Sequence, residues 1–152
     1  MKLFRNWLRD NRPNYTDAAI SLFTRFSERH DLVYKALDAP VEVMWEFPVQ
    51  ERLSLPLTLG LQNRDELNFG APGFWSYFFP FPAVSENFER YLDAWALGQA
   101  RIIHRPGRLR ITSTSTLEVL TDGKWLSVYS ASGSPWPHTN IEIRNFPEHG
   151  LM

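Results

Sequence analysis

The chain has no cysteine. Disulfides, thiolate zinc sites, iron–sulfur clusters and cysteine nucleophiles are excluded together. It also lacks a surplus of charge: 16 Lys+Arg stand against 17 Asp+Glu, a formal net charge of -1. A dedicated nucleic-acid binder needs excess cations to displace counterions from phosphates, so the balance argues against nucleic acid as the partner. Long apolar runs are missing too. No stretch approaches the roughly 18 residues a membrane span requires, which predicts no membrane partner. The charges of Lys2, Arg5, Arg9, Asp10 and Arg12 leave no apolar segment for a secretory signal, so the expected location is the cytoplasm.

Chemical signatures are equally sparse. The four histidines at 30, 104, 138 and 149 show no HxH, HxxxH or HExxH spacing, and neither GxxxxGK[ST], GxGxxG nor GxSxG occurs. No metal, cofactor or catalytic residue is predicted. Asp65 beside Glu66, and Glu42 two turns of the pleat from Glu46, are spacings common on solvated edges. A non-enzymatic role is therefore the expectation.

What is present is a globular composition. With 43% hydrophobic and 22% charged residues over 152 positions, one domain spanning 1–152 can build one core. Residues 1–13 form an arm or short helix with Leu3, Phe4, Trp7 and Leu8 on one side and basic residues on the other. A longer helix, capped by Asn14 or Thr16, is predicted from Thr16 to about Leu37, with Asp31 a candidate break. Its apolar positions are Ala19, Leu22, Phe23, Phe26, Val33 and Leu37.

From Val41 the hydrophobic period changes to two. Val41, Val43, Trp45, Phe47 and Val49, then Leu53 to Leu61 at alternate positions, predict two strands joined through Gln50 and Glu51, with Pro56 forcing an edge or a bulge. Glu66 to Phe69 follows as a short strand. Between Phe74 and Pro82 six aromatics crowd together, so Trp75 and Tyr77 are candidates for a stacking wall if they are not core. A central helix is predicted over about 85–97, from Ser85 to Gly98, with Phe88, Tyr91, Leu92 and Trp95 on its apolar side.

The C-terminal half carries two turn signals. Pro106-Gly107 predicts a type II turn with Arg105 opposite Arg108, and Asp122-Gly123 a type I′ hairpin with Thr121 opposite Lys124. Counted back from these turns, Ile102, His104, Leu109, Ile111, Leu117, Val119, Leu126 and Val128 face the core. Arg101, Arg105, Arg108, Arg110, Thr112, Thr114, Thr116, Trp125 and Tyr129 face outward. A bulge anywhere in this ribbon would reverse part of the assignment.

These patterns predict an α+β fold. It has a mainly antiparallel sheet of about six to eight strands, an N-terminal helical segment, a central helix on the apolar face, and a frayed tail over 147–152. The expected function is binding or protein interaction through the Arg/Thr face, Trp75, Tyr77 and the loop tryptophan Trp136, with a protein or a small anionic or aromatic ligand as partner. Two alternatives stand beside it: a small-ligand pocket or small enzyme lined by Phe74, Trp75, Tyr77 and His104, and weak RNA or anion binding through residues 101–110.

Overall fold

The structure, a computed structural model, describes residues 13–107, 112–133 and 139–147. Among these lie two helices and nine strands. The expected α+β fold is present, and its antiparallel strands form two sheets rather than one. The arm at 1–12, Leu109, Ile111 and the tail from 148 lie outside the described residues.

Helix α1 spans Thr16–Arg29. Asn14 Oδ1 accepts hydrogen bonds from the Thr16 amide and the Thr16 hydroxyl, satisfying a donor at the helix start. Ala19, Leu22, Phe23 and Phe26 form its buried stripe. The helix stops well short of Leu37. Asp31 takes a left-handed φ of 51°, and Ser27 holds both backbone groups of Leu32, its hydroxyl donating to the Leu32 carbonyl at 2.7 Å and its own carbonyl accepting the Leu32 amide. That clamp turns the chain out of the helix.

The first sheet is a meander of β1 (Lys35–Ala36), β2 (Val43–Phe47), β3 (Leu57–Gln62), β4 (Glu66–Ala71) and β5 (Phe74–Trp75), each strand antiparallel to the next. Val43, Trp45, Phe47, Leu57, Leu59, Leu61, Leu67 and Phe69 point inward, as the alternation predicts. Pro56 stands just before β3, where its missing amide interrupts no ladder. Past Lys35 and Ala36 the register would set Val33 against Pro48, which has no N–H to offer. The Gln50 side chain supplies the missing pairing: its Oε1 accepts the Val33 amide at 2.9 Å, and its Nε2 donates to Val33 O at 3.0 Å and Pro48 O at 2.9 Å.

Helix α2 spans Phe81–Ala96, starting four residues before the expected Ser85. Pro80, in an extended conformation, serves as N-cap, and Pro82 fits the first turn, where a helix amide has no partner in any case. Gly98, with φ +73°, ends it. The second sheet has the order β8-β7-β6-β9, built from β6 (Ala100–Pro106), β7 (Ser113–Thr121), β8 (Lys124–Gly133) and β9 (Ile141–Arg144). One buried cluster joins both sheets and both helices, with Phe88, Leu92 and Trp95 of α2 meeting Phe69, Ile102 and Leu117; the Phe69 and Trp95 rings meet edge to face at 5.2 Å.

Just after β9, the fully buried Asn145 ties three segments together. Its Oδ1 accepts the Ser54 amide at 2.7 Å and the Ser54 hydroxyl at 3.1 Å, while its Nδ2 donates to Arg52 O at 3.2 Å and Ala96 O at 3.0 Å.

The two C-terminal turns behave differently. Asp122 and Gly123, at φ 50° and 77°, make the expected tight turn, and Thr121 pairs with Lys124. The Pro106-Gly107 turn is not the predicted two-residue loop. Pro106 pairs with Ser113, Arg105 with Thr114, His104 with Ser115 and Arg101 with Glu118. Strand β7 begins late enough that Arg101 meets the Glu118 carboxylate, where the tighter register would have set it against Thr112 and Arg105 against Arg108.

Candidate functional site

The outward face of the second sheet holds Arg101, Ile103 and Arg105 on β6, Thr114, Thr116, Glu118 and Leu120 on β7, Trp125 on β8, and Glu142 and Arg144 on β9. Arg101 and Arg144 are opposed in register, and both guanidiniums lie against the Trp125 ring, at 4.2 Å and 5.1 Å from its centre. Two like charges coexist there because carboxylates sit among them. Arg101 Nε donates to Glu118 Oε1 at 2.8 Å and its Nη1 to Glu142 Oε2 at 3.2 Å, while Arg144 Nε donates to the Gly98 carbonyl at 2.6 Å.

Arg105 is the looser cation. Its side chain is 45% exposed and its Nη2 stands 4.0 Å from Glu118 Oε2. Thr114, its register partner, is exposed, as is Thr112. The expected polar face with arginines and Trp125 is therefore assembled, but Glu118 and Glu142 neutralise much of its charge. Arg101, Arg105 and Arg144 against these two acids leave one cation in excess on the described face.

One member of the expected face is covered and another is turned away from it. Thr116 is buried at 6% exposure and shares a hydroxyl contact with Ser130. Tyr129 points inward, because a bulge between Leu117 and Glu118 shifts the β7–β8 pairing by one residue and sets Leu117 against Tyr129. The Tyr129 ring packs between Phe74 and Phe78, at 5.8 Å and 5.0 Å. Leu126, expected in the core, is 48% exposed near the hairpin tip. Arg108, Arg110 and Trp136 lie outside the described residues.

The aromatic stretch is divided among environments. Phe74, Phe78 and Phe81 are core, Tyr77 and Phe79 are exposed, and Trp75 is half-buried on the outer face of the first sheet. The Tyr77 amide donates to Tyr129 Oη at 3.2 Å. Trp75 lines a shallow groove of about 290 Å³ with Glu46, Pro56, Thr58, Gly70, Ala71, Pro72 and Phe74. Of the four residues expected to share a pocket, Phe74 and Trp75 do so. Tyr77 and His104 do not line it.

His104 is a buried strut. Its Nδ1 meets the Ser115 hydroxyl, and burial lowers its pKa below the usual imidazole value, against a smaller opposing effect from a hydrogen bond with the Pro72 carbonyl. It thus connects β6 and β7 to the turn between β4 and β5.

Sequence spacing gave no sign of a second ionic cluster, because its members lie some sixty residues apart. Arg25 and Arg29 of α1 reach Glu89 of α2 at 2.9 Å and 2.8 Å, and Arg29 and His30 reach Asp93 at 2.9 Å and 2.7 Å. The Arg25 hydrogen bond holds the Glu89 carboxyl below the ordinary carboxylate range despite partial burial. The groove of about 440 Å³ between the helices is lined by residues that include Arg25 and Glu89. These charges are spent on each other, which makes the cluster a helix clamp. Among the described residues no three His, Asp or Glu side chains are grouped to hold a metal, and no helix is long and apolar enough to cross a membrane.

Compared with protein-family models, with curated proteins and with solved structures, the chain matches none.

Proposed function

We propose that the protein is a non-enzymatic interaction module whose contact surface is the outward face of the second sheet, centred on Trp125. The observation that carries this is the assembled cluster of Trp125, Arg101 and Arg144. Tryptophan and arginine are the residues most enriched where interfaces concentrate their binding energy, and here carboxylates and the ring itself hold the guanidiniums in place. Less side-chain entropy is then lost when a partner docks. Arg105, weakly held and exposed, is the cation that meets a partner carboxylate, so the partner is a protein presenting an acidic segment.

The test is comparative capture from extract of cells that make the protein, using the natural chain, Trp125→Ser and Arg105→Glu, each checked for folding by circular dichroism. A partner retained by the natural chain and lost by both variants is expected. A partner indifferent to both changes, nucleic acid recovered with steep salt sensitivity, or turnover of a small substrate would each overturn the proposal.

A further inference from the structure

The outer face of the first sheet carries a different kind of site. Pairing across its five strands places Lys35, Glu46, Thr58, Gly70 and Trp75 in one continuous row. Strand neighbours in register share a face, so this row is a line of functional groups running from a cation through a carboxylate and a hydroxyl to an indole.

The position of the row next to Trp75 is a glycine for a physical reason. A Cβ placed on Gly70 would fall 2.6 Å from the Trp75 ring atoms Cε3 and Cζ3, so only glycine lets the indole lie down on the strand beside it. One face of the ring is thus set against backbone. Among the described residues no other aromatic ring stacks on Trp75 and no arginine or lysine covers it, and the ring borders the groove of about 290 Å³. Pro56, Pro72 and Phe74 give the groove stiff apolar walls. Glu46 and Thr58 supply its polar side, and the exposed Glu46 carboxylate makes neither an ion pair nor a hydrogen bond with another described residue.

We infer that this groove binds one uncharged, polyhydroxylated ring, a monosaccharide unit. Such a ring has an apolar C–H face to stack on the indole and a rim of hydroxyls that act as both donors and acceptors. Glu46 accepts from that rim and Thr58 both donates and accepts. The charges of Lys35 and Glu46 cancel along the row. An anion would meet the Glu46 carboxylate, and Lys35, beside Glu46 in register, offsets that carboxylate's pull on a cation, so neither is favoured over a neutral ligand. The volume lies at the lower end of ligand cavities, which suits one ring and no extended chain.

The inference is tested by following the tryptophan indole N–H resonances of ¹⁵N-labelled protein, with the Trp75 signal assigned by Trp75→Phe. The ligands are methyl glucoside, methyl galactoside and methyl mannoside, with tetramethylammonium chloride and sodium phosphate as charged controls. A single stacked ring with a few hydrogen bonds should bind at about millimolar concentration. Saturable movement of the Trp75 signal with at least one glycoside is expected, weakened roughly fivefold or more by Glu46→Gln, a surface change that leaves the fold intact, and unaffected by Trp125→Ser. The inference is overturned by no saturable movement with any glycoside up to about 100 mM, by movement that Glu46→Gln leaves unchanged, or by equal response to either charged control.

Discussion

Replacing Asn145 by aspartate isolates the contribution of one buried amide. The side chain is fully enclosed, accepts two hydrogen bonds from Ser54 and donates one each to Arg52 O and Ala96 O. Asn145→Asp keeps the shape and both accepted bonds, but replaces the two-hydrogen donor with an oxygen that faces two carbonyls. Two lost hydrogen bonds cost about 1 kcal/mol each, and an unpaired buried carboxylate adds further desolvation, so the expected loss near pH 7 is about 3–5 kcal/mol. For a domain of this size that lowers Tm by about 6–20 °C.

The pH dependence has a definite sign. Burial beside two carbonyls raises the carboxyl pKa of the folded variant above its unfolded value of about 3.9, so protonation favours the folded state. The variant's deficit relative to the natural chain is therefore smallest below about pH 4 and grows as pH rises through the folded pKa. Urea unfolding of both proteins near pH 7 and pH 4.5 measures the difference at each pH. A deficit under about 1 kcal/mol at pH 7, or one of equal size at both pH values, would refute the account of Asn145 as a four-bond tie.

Three further outcomes follow from other sites. His104 has a lowered pKa, so the stability that depends on its neutral form is present above its unfolded value of about 6.5 and is lost as pH falls through the folded pKa; His104→Gln should flatten the stability–pH curve below about pH 6.5, read by chemical denaturation. Glu89, whose pKa is lowered chiefly by Arg25, contributes stability that is present above about pH 4.3 and is lost as pH falls through the lowered folded pKa, so Glu89→Gln should cost about 1 kcal/mol near pH 7 and progressively less in acid, read by urea unfolding. At Gly123, with φ +77° and open space where a Cβ would go, alanine should cost about 1 kcal/mol from backbone conformation alone, with unchanged chemical shifts outside the turn.

Local chemistry made much of the fold legible. The alternation through Val43, Trp45 and Phe47, the stripe of α1 and the Asp122-Gly123 turn each depend on neighbours within a few residues, and each stands as read. The failures share one cause, which is choice by distant partners. Pro106-Gly107 looks like a tight turn in isolation, yet the longer connection sets Arg101 against Glu118. The bulge that turns Tyr129 inward is matched to Phe74 and Phe78, more than fifty residues away. Alternation from the turns puts Arg101, Arg105, Thr114 and Trp125 on one face, as they are, while the acids that temper them, Glu118 and Glu142, are recognisable only with β6, β7 and β9 side by side.

The bond pattern around Gln50 bears on where a sheet can end. A proline ordinarily closes a ladder, because the residue across from it has nothing to pair with. Here a primary amide two positions downstream stands in for a peptide unit, presenting one acceptor and one donor to Val33. The limit of the first sheet is thus a property of position 50 and not of Pro48: glutamate there would keep the acceptor and lose the donor, and the strand leading into Lys35 would peel back by a residue.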